Sequence, residues 1–390
     1  MKKKVAFFAE ILIRNFDGAS RTMFNIIDRI PKDDFEFVFF CGVPPDEKFD
    51  HKVVDMLTLK IPFNSTYKMA IPYLHILKIW KALKELDPDV IHIASPSPLG
   101  NIALCYAKTH NIPVVGIYHT HFISYIDYYF EKMPIIASTV KHQVVKGQRN
   151  FYNRVNHLFV PTTQMVKELG DYGFETKDMV LWQRGLDHKV FHPGMKDKDR
   201  LQEYTGNTKP NIIFASRLVW EKNLQTLANV YKLAKAKGLE YNFIIAGDGV
   251  AKEGLKELMP EAMFLGSVPQ TELAWLYASC DVFIFPSITE TYGNVVVEAM
   301  ASGCPCVIAK GGGSQSHVQH GENGYLADPD VAEEYLTYAK QIIGSPTLAA
   351  ELIAEGRVYT RELDWDKLCA KYFEKVTDIT NSQYPMLKSA

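Results

Sequence analysis

The sequence contains no uncharged apolar run approaching the ~20 residues that a bilayer-spanning helix needs, and only 6 of its 390 residues are cysteine. The first absence removes a membrane-spanning helix from what is expected; the second removes a disulfide framework. Only Cys304 and Cys306 stand close together, and reduced, structural thiols are the simplest expectation for all six. Neither sign of charge is in excess: the formal net charge is -2, which argues against a nucleic-acid partner. No solenoid-length repeat and no low-complexity tract is present, and residues 381–390 read as a loose tail. Lys2 to Lys4 precede an apolar run, Val5 to Ala9, that is too short for a signal sequence, and no small-residue cleavage site follows. A cytoplasmic location is therefore expected.

What is present is a chain with 47% hydrophobic residues, long enough for two domains with substantial cores. Short apolar runs at Val5–Ala9, Phe35–Cys41, Asp89–Ala94, Pro113–Tyr118, His157–Pro161 and Met179–Trp182 read as strands. Ser20 is a candidate cap for a helix in which Met23, Ile26, Ile27 and Ile30 recur at helical spacing, and Leu99–Lys108 is another helix. The rhythm restarts with strands at Asn211–Ala215, Asn242–Ala246, Ala262–Leu265, Val282–Phe285 and Cys304–Ala309. Helices over 223–236, 270–279 and 293–302 separate them. Alternation of this kind predicts an α/β protein of two Rossmann-like, doubly wound parallel-sheet domains facing a cleft. The expected domains are 1–187 and 188–363, joined through the polar segment His192–Asp199; the family resemblance described below further implies that a last helix, 364–380, crosses back to the first.

The densest chemistry lies between Asp281 and Lys310, DVFIFPSITETYGNVVVEAMASGCPCVIAK. Val282–Phe285 predicts a buried strand, and Glu290 falls in the polar loop after it. Gly293 is expected to start a helix with Val295, Val296, Ala299 and Met300 on its apolar face, closed by Gly303. The amides near Gly293, Asn294 and Val295 suit an anion such as a diphosphate, and Glu298 suits the hydroxyls of its carrier. On spacing alone, an ordinary α/β loop with two unremarkable glutamates fits equally well.

Ser216-Arg217 follows the first strand of the second half, and Lys222 stands just before a helix. Arg217 and Lys222 are placed to neutralise a pyrophosphate, against the alternative of two solvated surface cations. Gly247-Asp248-Gly249 also ends a strand, where glycine permits a tight turn or close ligand approach. In the first half, Tyr118-His119-Thr120-His121 ends a strand. Alternation could set His119 and His121 on one face, but no carboxylate or cysteine completes a metal set nearby in the sequence. A satisfied half-buried imidazole and a histidine that bonds a substrate hydroxyl both remain open for His119.

Taken in order, the Gly18 loop, Tyr118–His121, Arg184-Gly185-Leu186-Asp187 with Phe191-His192-Pro193, Arg217 to Lys222, Gly247–Gly249, Phe264-Leu265-Gly266 and Glu290-x7-Glu298 resemble the family 4 retaining glycosyltransferases of the GT-B fold. The likeness spans roughly residues 4 to 375. It implies a metal-independent hexosyltransferase without a cofactor, its nucleotide-sugar donor in the second domain and its acceptor in the first. By that likeness Arg217 and Lys222 grip the diphosphate, Glu298 the ribose, and Glu290 with His119 the donor sugar. Amides at Gly293, Asn294 and Val295 meet sugar or phosphate, Gly18 approaches the diphosphate, and Leu265 flanks the base. Gly247, Asp248 and Gly249 complete the donor-binding set.

Within the family, Leu181 to Asp187 with Tyr118 to His121 is most similar to the glycolipid branch, which includes sulfoquinovosyl-diacylglycerol synthases and lipid-directed α-mannosyltransferases. Arg184 departs from the Asn more usual before that glycine. A GDP- or UDP-linked donor and a lipid or glycan acceptor follow as expected partners. Lys68, Tyr73, Lys78, Trp80, Lys81 and Lys84 on an amphipathic helix over Tyr67–Lys84 suit peripheral contact with an anionic membrane, and an ordinary helix with a buried aromatic face and solvated lysines fits them equally well. A second segment, Phe122–Arg154, adds Tyr125, Tyr128, Tyr129, Phe130, Lys132, Lys141, Lys146, Arg149 and Arg154. A nucleotide-sugar 2-epimerase, which shares the architecture, and a non-catalytic sugar-nucleotide-binding protein are the alternatives.

Overall fold

The computed structural model describes residues 2–14, 16–61, 64–121, 123, 126 and 134–381. It divides into two compact units, Met1–Gln183 with Asp366–Ala390, and Arg184–Trp365.

The first unit is built on a seven-stranded sheet of β1 (Lys3–Ile11), β2 (Phe35–Val43), β3 (Lys52–Asp55), β6 (Val90–Ile93), β7 (Val114–Ile117), β8 (His157–Val160) and β9 (Met179–Leu181). All its pairings are parallel, in the order β3-β2-β1-β6-β7-β8-β9. Between β3 and β6 the chain inserts an antiparallel hairpin, β4 (Thr58–Ile61) with β5 (Asn64–Ala70). Phe8, Phe40, Ile91 and Ile93 fill one face of the sheet. On the other, Phe7 stacks on His92, whose Nδ1 bonds the Tyr372 hydroxyl at 2.7 Å. Tyr372 belongs to the last helix, Trp365–Asn381, which buries Leu368, Cys369, Phe373, Val376 and Ile379 at helical spacing. The Trp182 indole N–H donates to the Leu368 carbonyl of the same helix at 2.8 Å.

Three local expectations are corrected here. Ser20 does not cap the first helix: Asp17 does, accepting from the Ser20 amide at 2.8 Å, so Gly18 is the first helical residue of Gly18–Ile27. Residues 67–84 are not one helix. Tyr67 and Lys68 lie on β5, Tyr73 lies in a 3-10 turn (Pro72–His75), and the helix runs Ile76–Leu86. Lys68, Met69 and Ala70 pair with Lys60, Leu59 and Thr58 of β4 instead of winding. Finally, β1 continues to Ile11, so Glu10 is a strand residue.

The second unit holds a six-stranded parallel sheet of β10 (Asn211–Ala215), β11 (Asn242–Ala246), β12 (Met263–Gly266), β13 (Val282–Phe285), β14 (Cys306–Ala309) and β15 (Tyr325–Ala327). Its order, β12-β11-β10-β13-β14-β15, is the doubly wound order in which the chain starts centrally and reverses direction across the sheet. Arg184 to Leu186 belong to this unit because the Leu186 amide donates to Leu363 and the Arg184 carbonyl accepts from Tyr292. The chain therefore passes between units at Gln183, ahead of the polar segment at 192–199, which folds into a 3-10 turn and a helix, Lys198–Thr205. Cys304 and Cys306 are free, buried thiols. Among the described residues no helix is long and apolar enough to cross a membrane.

Candidate functional site

In a doubly wound sheet, ligands gather where two neighbouring strands send their following connections in opposite directions. In the second unit that point lies between β10 and β13. The loop after β10 carries Arg217 and Lys222, and the loop after β13 carries Glu290. The structure joins them: Lys222 Nζ lies 2.7 Å from Glu290 Oε1 and donates to Thr289 Oγ1 at 3.1 Å. The Lys222 side chain is only 3% exposed, so a full positive charge is held in the protein at the mouth of the sheet. A buried pair of this kind is a weak source of stability, because desolvation offsets most of the attraction. Arg217 differs, standing exposed at the tip of β10.

Beside this pair starts the helix Asn294–Ser302. Gly293 does not begin it as a helical residue but caps it in the left-handed conformation, φ 85°. By their place in the first turn, the amides of Asn294 and Val295 have no partner in their own helix. Val297 joins Val296, Ala299 and Met300 on the buried face, and Val295 is half-buried. Glu298, on the second turn, is buried too. Its neighbour Tyr277 has a phenol pushed well above its ordinary value, by burial first and by the Glu298 charge second.

Several residues that hold this loop escaped the sequence reading. The Gly313 amide donates to the Glu290 carbonyl at 2.6 Å, and a Cβ at Gly313 would stand 2.0 Å from the Thr291 carbonyl oxygen. The three glycines after β14, Gly311 to Gly313, are thus the floor on which the Glu290 loop lies; a glycine run at a strand end was the available signal. Tyr292 is clamped at both ends. Its hydroxyl donates to the Arg184 carbonyl at 2.9 Å, and its carbonyl accepts from His317 Nε2 at 2.6 Å. His317 Nδ1 meets the Tyr359 hydroxyl at 2.8 Å, so a neutral ring protonated on Nε2 satisfies both contacts. Burial lowers its pKa to about 4.

Gly247 and Gly249 have a packing role. A Cβ on Gly247 would lie 1.8 Å from the Ser216 carbonyl oxygen, and one on Gly249 would lie 2.4 Å from that of Leu218. The Leu218 amide donates to the Asp248 carbonyl at 2.8 Å, stitching the Arg217 loop to this turn. The Asp248 carboxylate is exposed and paired with Lys252 at 3.0 Å. Asn223 is a left-handed cap at φ 55°, and the helix after it is Leu224–Ala236. Leu265, half-buried, stands one residue before the end of β12 at Gly266.

The first unit carries His119 and Gly18, described within that unit. His119 and His121 are buried beyond the end of β7, not on a strand face. The Tyr118 hydroxyl bonds His121 Nδ1 at 2.7 Å, and Glu168 approaches its Nε2 at 2.8 Å. Folding thus supplies a carboxylate that is remote in sequence, although no group of three metal-ligating side chains occurs among the described residues. Tyr67 donates to Asp17 at 2.5 Å, tying the hairpin to the loop before Gly18. Of the aromatic and basic residues expected on 122–154, Tyr125, Tyr128, Tyr129, Phe130 and Lys132 lie outside the described residues. Lys141, Lys146 and Arg149 lie on the helix Pro134–Tyr152, and Arg154 follows it.

Known proteins resemble each half and the whole. A family model described as Glycosyltransferase Family 4 matches residues 16–190, and one described as Glycosyl transferases group 1 matches residues 195–359. A GDP-mannose-dependent alpha-mannosyltransferase of Corynebacterium glutamicum is 27% identical over 96% of this chain and 89% of its own length. The sulfoquinovosyl transferase SQD2 of Arabidopsis thaliana is 30% identical over 87% of this chain and 64% of its own. An alpha-monoglucosyldiacylglycerol synthase of Acholeplasma laidlawii is 22% identical over 97% and 99%. Among solved structures, sucrose-phosphate synthase from Thermosynechococcus elongatus superposes with a TM-score of 0.75 at 17% identity, over 97% of this chain and 99% of that one. Anabaena HepE in complex with UDP-glucose gives 0.71 at 19%, over 96% and 99%.

Proposed function

We propose that this chain, which belongs to the family 4 glycosyltransferases of the GT-B fold, moves a hexose with retention from a nucleotide-diphosphate sugar to a lipid or glycan acceptor, in glycolipid or cell-envelope glycan synthesis. The observation that carries the proposal is the buried Lys222 ammonium, set against Glu290 at the switch point beside the start of the helix Asn294–Ser302. Cleaving a sugar–diphosphate bond builds negative charge on the leaving group and positive charge at the sugar carbon. Lys222, with Arg217 as a second cation, meets the first; preorganised charge in a poorly hydrated site is worth more than the same charge in water. The amides of Asn294 and Val295 add donors at the positive end of the helix dipole. Glu298 receives the ribose hydroxyls, and Glu290 faces the sugar.

In this reading the bond from the sugar carbon to the diphosphate oxygen breaks as the bond to the acceptor oxygen forms on the same face. The acceptor proton passes to the departing phosphate oxygen, so no side chain need act as nucleophile. Arg217, Lys222 and the amides carry the charge that a metal would otherwise neutralise. The donor is GDP-mannose or a UDP-sugar. GDP-mannose is preferred, on the likeness to mannosyltransferases whose names specify it.

Calorimetric titration with GDP, UDP and ADP, repeated on Lys222→Ala and Glu298→Ala, tests this. A preference for one nucleotide, weakened in both variants, names the donor class. Failure of all three nucleotides to bind overturns the site. Incubation of the nucleotide sugar without acceptor separates transfer from epimerisation, since only an epimerase would change the sugar's configuration there.

A further inference from the structure

The peptide that joins Tyr292 to Gly293 is held at one end and open at the other. Its carbonyl accepts from His317 Nε2 at 2.6 Å. Its N–H belongs to Gly293, which is buried, and among the described residues that N–H has no acceptor. Buried backbone N–H groups are nearly always paired. One left open at the start of the helix Asn294–Ser302, beside the buried Lys222 ammonium, points to an acceptor that comes from outside the chain.

The two groups of this peptide point in opposite directions, because a peptide is planar and trans. Whatever fixes the carbonyl therefore aims the N–H. The backbone alone does not choose: Gly293 stands at φ 85°, and glycine adopts either sign of φ, so the peptide could turn over at little steric cost. Its neighbours on both sides are fixed. The Tyr292 hydroxyl donates to the Arg184 carbonyl at 2.9 Å, and its ring packs edge-on against the His317 ring, with centroids 4.3 Å apart. On the other side Ser314 crowds the Gly293 α-carbon: a Cβ there would stand 2.6 Å from the Ser314 Cβ. Among the described residues, the bond from His317 is the one that holds the peptide between them.

His317 is itself held for this task. It is buried, its main-chain carbonyl accepts from Asn323 Nδ2 at 3.0 Å, and its Nδ1 meets the Tyr359 hydroxyl at 2.8 Å. A carbonyl oxygen only accepts, so Nε2 carries the ring proton and Tyr359 donates to Nδ1. Tyr359 thus sets the tautomer, and the tautomer sets the peptide.

We propose that His317 is a positioning residue of the donor site: through the Tyr292 carbonyl it turns the Gly293 N–H toward the terminal phosphate of a nucleoside diphosphate. The proposal rests on the donor site proposed above and adds the side chain that orients one of its amides. An amide already aimed at an anion makes a charge-assisted bond without reorganising when the ligand arrives.

The test is calorimetric titration of the full chain with the guanosine and uridine monophosphates and diphosphates, on the wild type and on His317→Phe, His317→Gln and Tyr359→Phe. Phenylalanine fills the space of the ring without a donor, whereas glutamine returns an N–H in place of Nε2. For the base that the wild type binds, His317→Phe should lose about tenfold in affinity for the diphosphate, and the monophosphate should stay within about twofold. The ratio of the two affinities isolates the terminal phosphate from any general loosening of the loop. His317→Gln should recover diphosphate binding to within about threefold of the wild type, and Tyr359→Phe should lose about threefold, again with the monophosphate unchanged. Equal losses for monophosphate and diphosphate overturn the proposal, because they make His317 a structural residue only. So does a His317→Phe that binds the diphosphate as the wild type does. If His317→Phe does not fold, the same ratio measured on Tyr359→Phe decides. A wild type that binds neither diphosphate overturns the donor site and this proposal with it. A wild type that binds one, with its ratio unchanged in the variants, overturns the role of His317 and leaves the donor site standing.

Discussion

The two sheets share a strand order through their first six strands, yet they place opposite chemistry where that order reverses. In the second unit the point between β10 and β13 holds a buried cation, Lys222, beside a helix start without an acidic first turn. In the first, between β1 and β6, Glu10 is half-buried and Asp17 caps the adjoining helix. Desolvation raises the Glu10 pKa, against the lowering effects of bonds to Ser97 and nearby amides. The reversal of the first sheet carries carboxyl groups alone among these residues, whereas that of the second sets a lysine against a carboxylate. Topology supplied two equivalent places, and side-chain charge distinguishes them; the proposed function puts the diphosphate at the second. The first alone is tied to a hairpin, through Glu10 and Asp17.

Lys222→Ala should break this contrast most severely. Transfer should fall by about 10²–10³-fold, the usual loss when one preorganised charge-stabilising donor is removed; steady-state kinetics with the preferred donor checks it. Glu10→Gln should leave nucleotide affinity unchanged by the same calorimetry, because it alters the other switch point.

Acid should separate the units next. His317, in the second unit, has its folded pKa lowered from the ordinary 6.5 to about 4. The unfolded ring takes up a proton as pH falls through about 6.5, whereas the folded ring stays neutral. Stability is therefore full above that value and declines down to about pH 4, by about 3 kcal/mol in all. Urea unfolding from pH 7 to 4 should show this decline, and His317→Gln should flatten it.

A smaller effect is expected from Gly313→Ala, whose Cβ meets the Thr291 carbonyl oxygen and lifts the Glu290 loop. Crowding of this kind costs about 1–3 kcal/mol. Thermal unfolding and nucleotide affinity should both decline, while Gly344→Ala, with nothing within 4 Å, should not destabilise. The smallest effect belongs to Glu10→Gln. A raised carboxyl pKa means that the unfolded acid ionises first, so this group's contribution is greatest at low pH and is lost as pH rises. The variant keeps an oxygen for the Ala70 amide. At pH 7 it should be at least as stable as the wild type, and the stability difference should vanish on acidification.

The parallel sheets were legible because strands buried on both faces read as unbroken apolar runs, and Val282–Phe285 and Asn211–Ala215 are recovered at their expected bounds. The helix Gln270–Ser279 was equally plain. The hairpin was not. Its strand Asn64–Ala70 mixes polar and apolar residues at a spacing compatible with a helix, and only pairing with Thr58–Ile61 decides the matter. In the site, the loop order and the two glutamates were readable as a family likeness. Gly313 and His317 were not, and Arg184 was legible only as a motif residue and not as the acceptor of the Tyr292 hydroxyl, since each acts on the Glu290–Tyr292 loop from a distant stretch of chain.

The sequence by itself determined the class of fold and the presence of two domains, and it marked the segments that carry the candidate site residues, because periodicity and strand-end placement are local properties. Tertiary structure alone decided that Lys222 meets Glu290 and that the glycines after β14 carry the Glu290 loop. These depend on which strands become neighbours and in what order. That order is set by packing the whole sheet, and no window of sequence contains it.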